Sequence, residues 1–158
     1  MGEPPQANMD FVDLLSAFVE HEVEFLIVGA FALAAHGLPR ATGDIDILVR
    51  PTAGNAELVH RALIAFGAPV DAHGVTPGDF EREGTVYQLG LPPRRIDILT
   101  TITGVSFDAA REHAIEGRVG SCTARFIGLE ALIRNKRASG RTKDIADAES
   151  LEARRPRG

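Results

Sequence analysis

Residues 28–49 read VGAFALAAHGLPRATGDIDILV, and the fold turns on how they are parsed. Phe25-Leu26-Ile27-Val28 is an apolar run of the kind that forms a buried strand, and Gly29-Ala30 is a turn. Residues 30–36 make a short helix of small residues, closed at His36-Gly37-Leu38-Pro39. Asp44-Ile45-Asp46-Ile47 then opens a second strand. Strand side chains alternate faces, so Asp44 and Asp46 point one way and Ile45 and Ile47 the other. Two carboxylates so placed can hold a divalent cation, and they repel each other without one.

Gly29 ends the first strand and Asp44 begins the second, so the two meet only if the strands run antiparallel across the intervening helix. That helix then starts at the site, with unbonded backbone N–H groups and a positive dipole end turned toward an anion. A glycine there lets the backbone come close to a phosphate. Asp97, in Arg95-Ile96-Asp97-Ile98-Leu99, is a third acid on a separate apolar strand, where it has no packing role. Three strand-borne acids around one or two magnesium ions suit in-line phosphoryl or nucleotidyl transfer. Asp97 either completes that metal site or takes the proton of an acceptor hydroxyl.

Outward from this centre, Phe11, Leu14, Leu15, Phe18 and Val19 form one face of an amphipathic helix. A second helix covers 55–66, with Leu58, Ala62, Leu63 and Phe66 inward and Gly67 just past its end. Residues 67–83 read as a long loop, functional or disordered. Strands are expected at 85–91 and 95–101 around Pro92-Pro93, a short helix at 107–113, and a hairpin at 114–119 and 121–126. Helices at 129–138 and 143–153 finish the chain. The expectation is a single domain over 9–153, with flexible tails at 1–8 and 154–158.

The net charge of −5 argues against a broad electrostatic footprint for duplex DNA, although 17 Lys and Arg leave room for a local basic patch. Cys122 is the only cysteine, so neither a disulfide framework nor a thiolate zinc cluster is available, and it reads as a small packed hydrophobe. No apolar run approaches the roughly 20 residues that span a bilayer. With no signal-peptide pattern, a reduced, cytoplasmic setting and no membrane partner are expected.

Val28-Gly29-Ala30, His36-Gly37, Arg40-Ala41-Thr42 and Asp44-Ile45-Asp46 resemble the DNA polymerase beta-type nucleotidyltransferase superfamily. More narrowly, they resemble its small bacterial branch of minimal nucleotidyltransferases and abortive-infection-type toxins. Leu129-Glu130-Ala131-Leu132-Ile133, Lys136 and Arg141-Thr142-Lys143-Asp144 are similar to that branch's closing helices, so the resemblance spans residues 25–151. It implies an α+β fold, a mixed, partly antiparallel sheet flanked by helices with further helices at the C-terminus. It also implies two magnesium ions and a nucleoside triphosphate donor. By the same likeness Asp44, Asp46 and Asp97 are the metal and catalytic acids, and Gly29 and Ala30 form the phosphate turn. The acceptor is a protein, an RNA or a small molecule, and a cognate toxin or antitoxin is an expected partner. Ala30 departs from the pattern, standing where the family has a second Gly or Ser; its N–H remains.

Each residue also has a plainer role. Asp-x-Asp can cap a turn or form salt bridges, and Gly29 can serve helix–strand packing alone. Arg40 either binds a triphosphate or pairs with Asp44 or another acid. Lys136, Arg141 and Lys143 form a positive edge toward nucleotide phosphates, or an exposed helix start beside Asp144. A catalytically degenerate partner-binding or antitoxin module of the same fold is the competing reading, with a metal-dependent glycosyltransferase a weaker third. His21, His60, His73 and His113 show no metal-ligand spacing.

Overall fold

A computed structural model describes residues 9–91 and 94–155. The tails expected at 1–8 and beyond 155, and the Pro92-Pro93 turn, fall outside the described residues. Arg155, placed in the C-terminal tail by sequence, pairs with Glu130 through two hydrogen bonds of 2.7 and 2.8 Å.

The chain runs α1 (Met9–Glu20), β1 (Phe25–Val28), α2 (Gly29–Ala35), β2 (Ile45–Val49) and α3 (Ala53–Phe66). A 3-10 turn at Pro77–Phe80 leads to β3 (Val86–Leu89) and β4 (Ile96–Leu99). Then come α4 (Phe107–Arg111), β5 (Ile115–Val119), β6 (Cys122–Phe126), α5 (Leu129–Ser139) and α6 (Thr142–Ala153). Among the described residues the strands form one mixed sheet in the order β3-β4-β2-β1-β6-β5. β1 is antiparallel to β2 and parallel to β6; β4 is parallel to β2 and antiparallel to β3. The expected α+β class and the antiparallel β1–β2 pair are what the chain adopts.

The apolar periodicity of α1 holds for four of the five expected residues; Val19, near the helix end, is exposed. Phe11, Leu14, Leu15 and Phe18 are all buried, and Phe18 meets Phe25 of β1 edge-on with ring centroids 5.4 Å apart. Phe25, Ile27, Ile45, Ile47, Ile96 and Ile98 share that face by strand alternation and register. The opposite face carries Val28, Asp46 and Asp97. α3 begins at Thr52, whose side chain accepts the Asn55 N–H, and ends at Gly67. Its buried face is Asn55, Ala56, Val59, Ala62 and Leu63, while Leu58 and Phe66 are half-buried. The Asn55 amide bonds the backbone N–H and carbonyl of Glu24 and the carbonyl of Arg50, tying the start of β1 to the end of β2.

β3 and β4 are shorter than the sequence suggests, and beyond them one more backbone bond joins the two segments, from Thr100 N–H to the Thr85 carbonyl at 3.1 Å. Thr85 donates its N–H to Thr100 Oγ1 at 2.9 Å, and Thr100 Oγ1 donates to the Arg82 carbonyl at 2.7 Å. The long 67–83 segment is held by fully buried Phe80, which lies against Tyr87, and it packs on α3. Among the described residues no helix is long and apolar enough to cross a membrane.

α5 starts where the backbone of Gly128 passes close under the end of α4. Gly128 N–H donates to the Ala110 carbonyl at 3.1 Å, and a Cβ on Gly128 would lie 2.4 Å from the Glu112 carbonyl oxygen. Because the obstruction is backbone, Gly128→Ala is expected to destabilise the protein by about 1–3 kcal/mol, as overpacking does. Urea unfolding with an unchanged m-value would measure it.

Candidate functional site

The register between β2 and β4 decides the site. Asp46 lies directly opposite Asp97, and Ile45 N–H donates to the Arg95 carbonyl. Asp44 and Arg95 immediately precede β2 and β4, and the contacts of Arg95 with Asp44 and Asp97 put them on the same side as Asp46 and Asp97. On the other flank Val28 pairs with Asp46, which leaves Gly29 beside the Asp46 carboxylate. A Cβ on Gly29 would lie 2.1 Å from Asp46 Oδ2, and the residue has φ +69° as the chain turns from β1 into α2. Both facts require glycine here. The structure therefore brings Gly29, Asp44, Asp46 and Asp97 to one place.

Arg95 joins them. Its Nε donates to Asp97 Oδ1 at 2.9 Å and its Nη2 to Asp97 Oδ2 at 3.2 Å, a two-pronged bond on a buried carboxylate. Nη2 also lies 3.5 Å from Asp44 Oδ2, and the Arg95 backbone N–H donates to Asp44 Oδ1 at 3.1 Å. Asp46 has no such relief. Burial first, then the charge of Asp97, push its carboxyl up to about 6, with Asp44 adding to the shift and Arg95 opposing it.

Three carboxylates on one face offer the hard oxygen donors that a divalent cation takes, and burial, together with the neighbouring acids, raises the carboxyl of Asp46. As arranged, Asp44 and Asp97 turn their oxygens to Arg95, and among the described residues no three His, Cys, Asp or Glu side chains are drawn into a metal-ligand cluster.

α5 and α6 border two clefts, one of which reaches Asp46. One, of about 280 Å³, runs from Val28, Gly29 and Asp46 to Asn135, Lys136 and Arg141. The other, of about 290 Å³, lies between Ala30, Arg40 and Thr42 and the same helices. Lys136, Arg141 and Asp144 line both.

Their cations are mostly engaged. Arg40 pairs with Asp147, and Lys136 Nζ lies 3.2 Å from Asp144 Oδ1 and 3.5 Å from Asp147 Oδ2. Arg141 Nε and Ser139 Oγ both donate to Asp144 Oδ2, at 3.1 and 2.6 Å. Burial pushes Asp144 up, but the bonds from Ser139 and Lys136 and the nearby cations outweigh it and hold its carboxyl below the usual range. Lys143 is exposed at the rim of the second cleft and has no ion-pair partner among the described residues. His36 Nε2 donates to the Ile127 carbonyl at 2.8 Å, which makes it a tie between α2 and β6.

Arg95 was the residue that motif reading passed over. Its signal was present: an arginine two before Asp97 on a strand must share that acid's face. Asp147 was likewise legible as the residue one helical turn beyond Asp144.

No protein-family model matches the sequence, and no curated protein matches it. Solved structures do. A candidate nucleotidyltransferase from Thermotoga maritima, TM1012, superposes with TM-score 0.54 at 14% identity over 90% of this chain and 88% of that one. The fold is that of the nucleotidyltransferases. ANT(2")-Ia in complex with adenylyl-2"-tobramycin gives TM-score 0.52 at 14% identity, with 91% of each chain covered. The solution structure of the antibiotic-resistance factor ANT(2'')-Ia gives 0.50 at 19% identity, covering 93% of this chain and 88% of that one. At these identities the likeness is one of nucleotidyltransferase fold.

Two outcomes follow from the packing around Asp46. Gly29→Ala is expected to cost at least about 2 kcal/mol in denaturant unfolding, because it combines a left-handed backbone with a clash against Asp46. Asp46 ionises near its ordinary value in the unfolded chain but only near pH 6 when folded. Stability is therefore lost as pH rises from about 4 to 6, and the penalty persists above. Asp46→Asn should then stabilise the metal-free protein by ~1–2 kcal/mol at pH 7.5. That gain should shrink toward zero near pH 4 in the same unfolding assay.

Proposed function

We propose that this chain is a magnesium-dependent nucleotidyltransferase, moving a nucleoside monophosphate from a nucleoside triphosphate to a hydroxyl of an acceptor. The observation that carries the reading is the convergence of Asp44, Asp46 and Asp97 on one sheet face beside the Gly29 turn. The fold it shares with nucleotidyltransferase structures adds support.

In this reading Asp44, Asp46 and Asp97 hold the metal ions. Bound magnesium would supply activation of the attacking oxygen and neutralisation of the leaving pyrophosphate. The backbone N–H groups of Gly29 and Ala30 seat phosphate oxygens, and a Cβ at position 29 would press on the Asp46 carboxylate. Lys143, with no carboxylate partner among the described residues, meets the outer phosphates. Arg40 and Lys136, held by Asp147 and Asp144, shape the cleft and give its wall positive charge. The acceptor oxygen bonds to the α-phosphorus as the α–β bridging bond breaks, and the acceptor's proton passes to a carboxylate of the site or to water.

ANT(2")-Ia is described with an adenylylated antibiotic, so a small-molecule hydroxyl is one acceptor class for this chain. A protein side chain or an RNA end, in a toxin–antitoxin or phage-defence setting, is the other. A non-catalytic partner-binding module is the second reading, favoured by Ala30 and by the hold of Arg95 on two of the acids.

Incubation with each α-labelled triphosphate, magnesium and cell lysate tests the proposal. Label should move to protein, RNA or a small molecule only with magnesium, and Asp46→Ala should reduce transfer by about 100-fold or more. Absence of both transfer and magnesium-dependent nucleotide binding would establish the non-catalytic module instead.

A further inference from the structure

Arg95 reaches all four oxygens of Asp44 and Asp97, and Asp97 also bonds the Asp46 side chain. The guanidinium of Arg95 takes both oxygens of Asp97 and approaches Asp44 Oδ2, while its backbone N–H takes Asp44 Oδ1. These are the oxygens that a cation bridging the two strands would need. Arg95 is tethered two residues from Asp97 on the same strand, so it is always present at the acids, whereas a free cation must arrive from solution. Its side chain is 30% exposed, which leaves it an outlet toward solvent.

We propose that Arg95 is an internal counter-ion that stands in for a divalent cation at Asp44 and Asp97. It lets go when metal and triphosphate arrive together. The inference rests on the nucleotidyltransferase reading and adds its order of assembly. A lone cation must displace a planar, two-pronged donor that matches the carboxylate geometry, and it leaves that guanidinium without a partner. A metal-bound triphosphate carries its own negative oxygens, which give the displaced guanidinium a new acceptor. Metal and nucleotide therefore bind as a linked pair, each tightening the other. Arg95 acts here as a positioning residue, through the acids it holds.

The test is Mn²⁺ binding, followed by calorimetry and by the Mn²⁺ spin-resonance signal, to the wild-type chain, Arg95→Gln, Arg95→Lys and Asp46→Asn. Each is titrated with Mn²⁺ alone and with Mn²⁺ premixed with inorganic tripolyphosphate. Arg95→Gln should bind Mn²⁺ alone at least about tenfold more tightly than wild type, since a neighbouring positive charge has gone. Arg95→Lys keeps the charge and loses the fork, and should fall between them. With tripolyphosphate the advantage of Arg95→Gln should shrink to about twofold or less.

Equal or weaker Mn²⁺ binding by Arg95→Gln, with Asp46→Asn still abolishing it, would overturn the role of Arg95 and leave the enzyme reading standing. An advantage that tripolyphosphate leaves unchanged would overturn the linkage. Failure of every variant to bind Mn²⁺ under either condition would remove the metal site and this inference together. Should Arg95→Gln fail to fold, as judged by its melting curve, the comparison of Arg95→Lys with wild type decides.

Discussion

Three carboxylates crowd the end of β2 and β4 on one face, and their mutual repulsion is the constraint around which this structure is arranged. Like charges in a partly buried site cost free energy unless something answers them. Here the answer is unequal. Arg95 satisfies Asp97 and Asp44, while Asp46 keeps its proton well above the usual carboxylate range. A site so poised is stable enough to fold and still favours the entry of positive charge.

The walls of the site follow from a second set of charges. α5 and α6 meet at a layer in which Asp144 and Asp147 draw in Lys136, Arg40 and Arg141. Asp147 is 3% exposed at its side chain, and among the described residues its Oδ2 has no hydrogen-bond donor, only the Lys136 ammonium at 3.5 Å. The layer ties the loop after α2 to the last helix and walls the cleft between Ala30, Thr42 and that helix pair.

Much of this was legible before any coordinates. Strand alternation alone puts Asp44 with Asp46, and Arg95 with Asp97, on common faces. The apolar spacing of Phe11, Leu14, Leu15 and Phe18 fixes the buried side of α1. The antiparallel β1–β2 pair follows from asking what would bring Gly29 to the acids. Other features were hidden for physical reasons. The β3–β4 pair stops at Leu89 and Ile96, where Gly90 turns the chain out of the strand with φ +80°. The 67–83 segment is ordered through Phe80, a single aromatic whose burial depends on α3 and β3.

What the sequence determined alone is therefore local: which residues share a helix face or a strand face, and that a glycine stands between a strand and a helix. Those periodicities come from backbone geometry and hold wherever the segment lies. The tertiary structure decided the rest, namely that Asp46 stands opposite Asp97, that Arg95 closes on Asp44, and that Arg40 finds Asp147, 107 residues away. Register between strands far apart in the chain is set by the packing of whole faces, since a slip of one residue would turn every inward side chain outward.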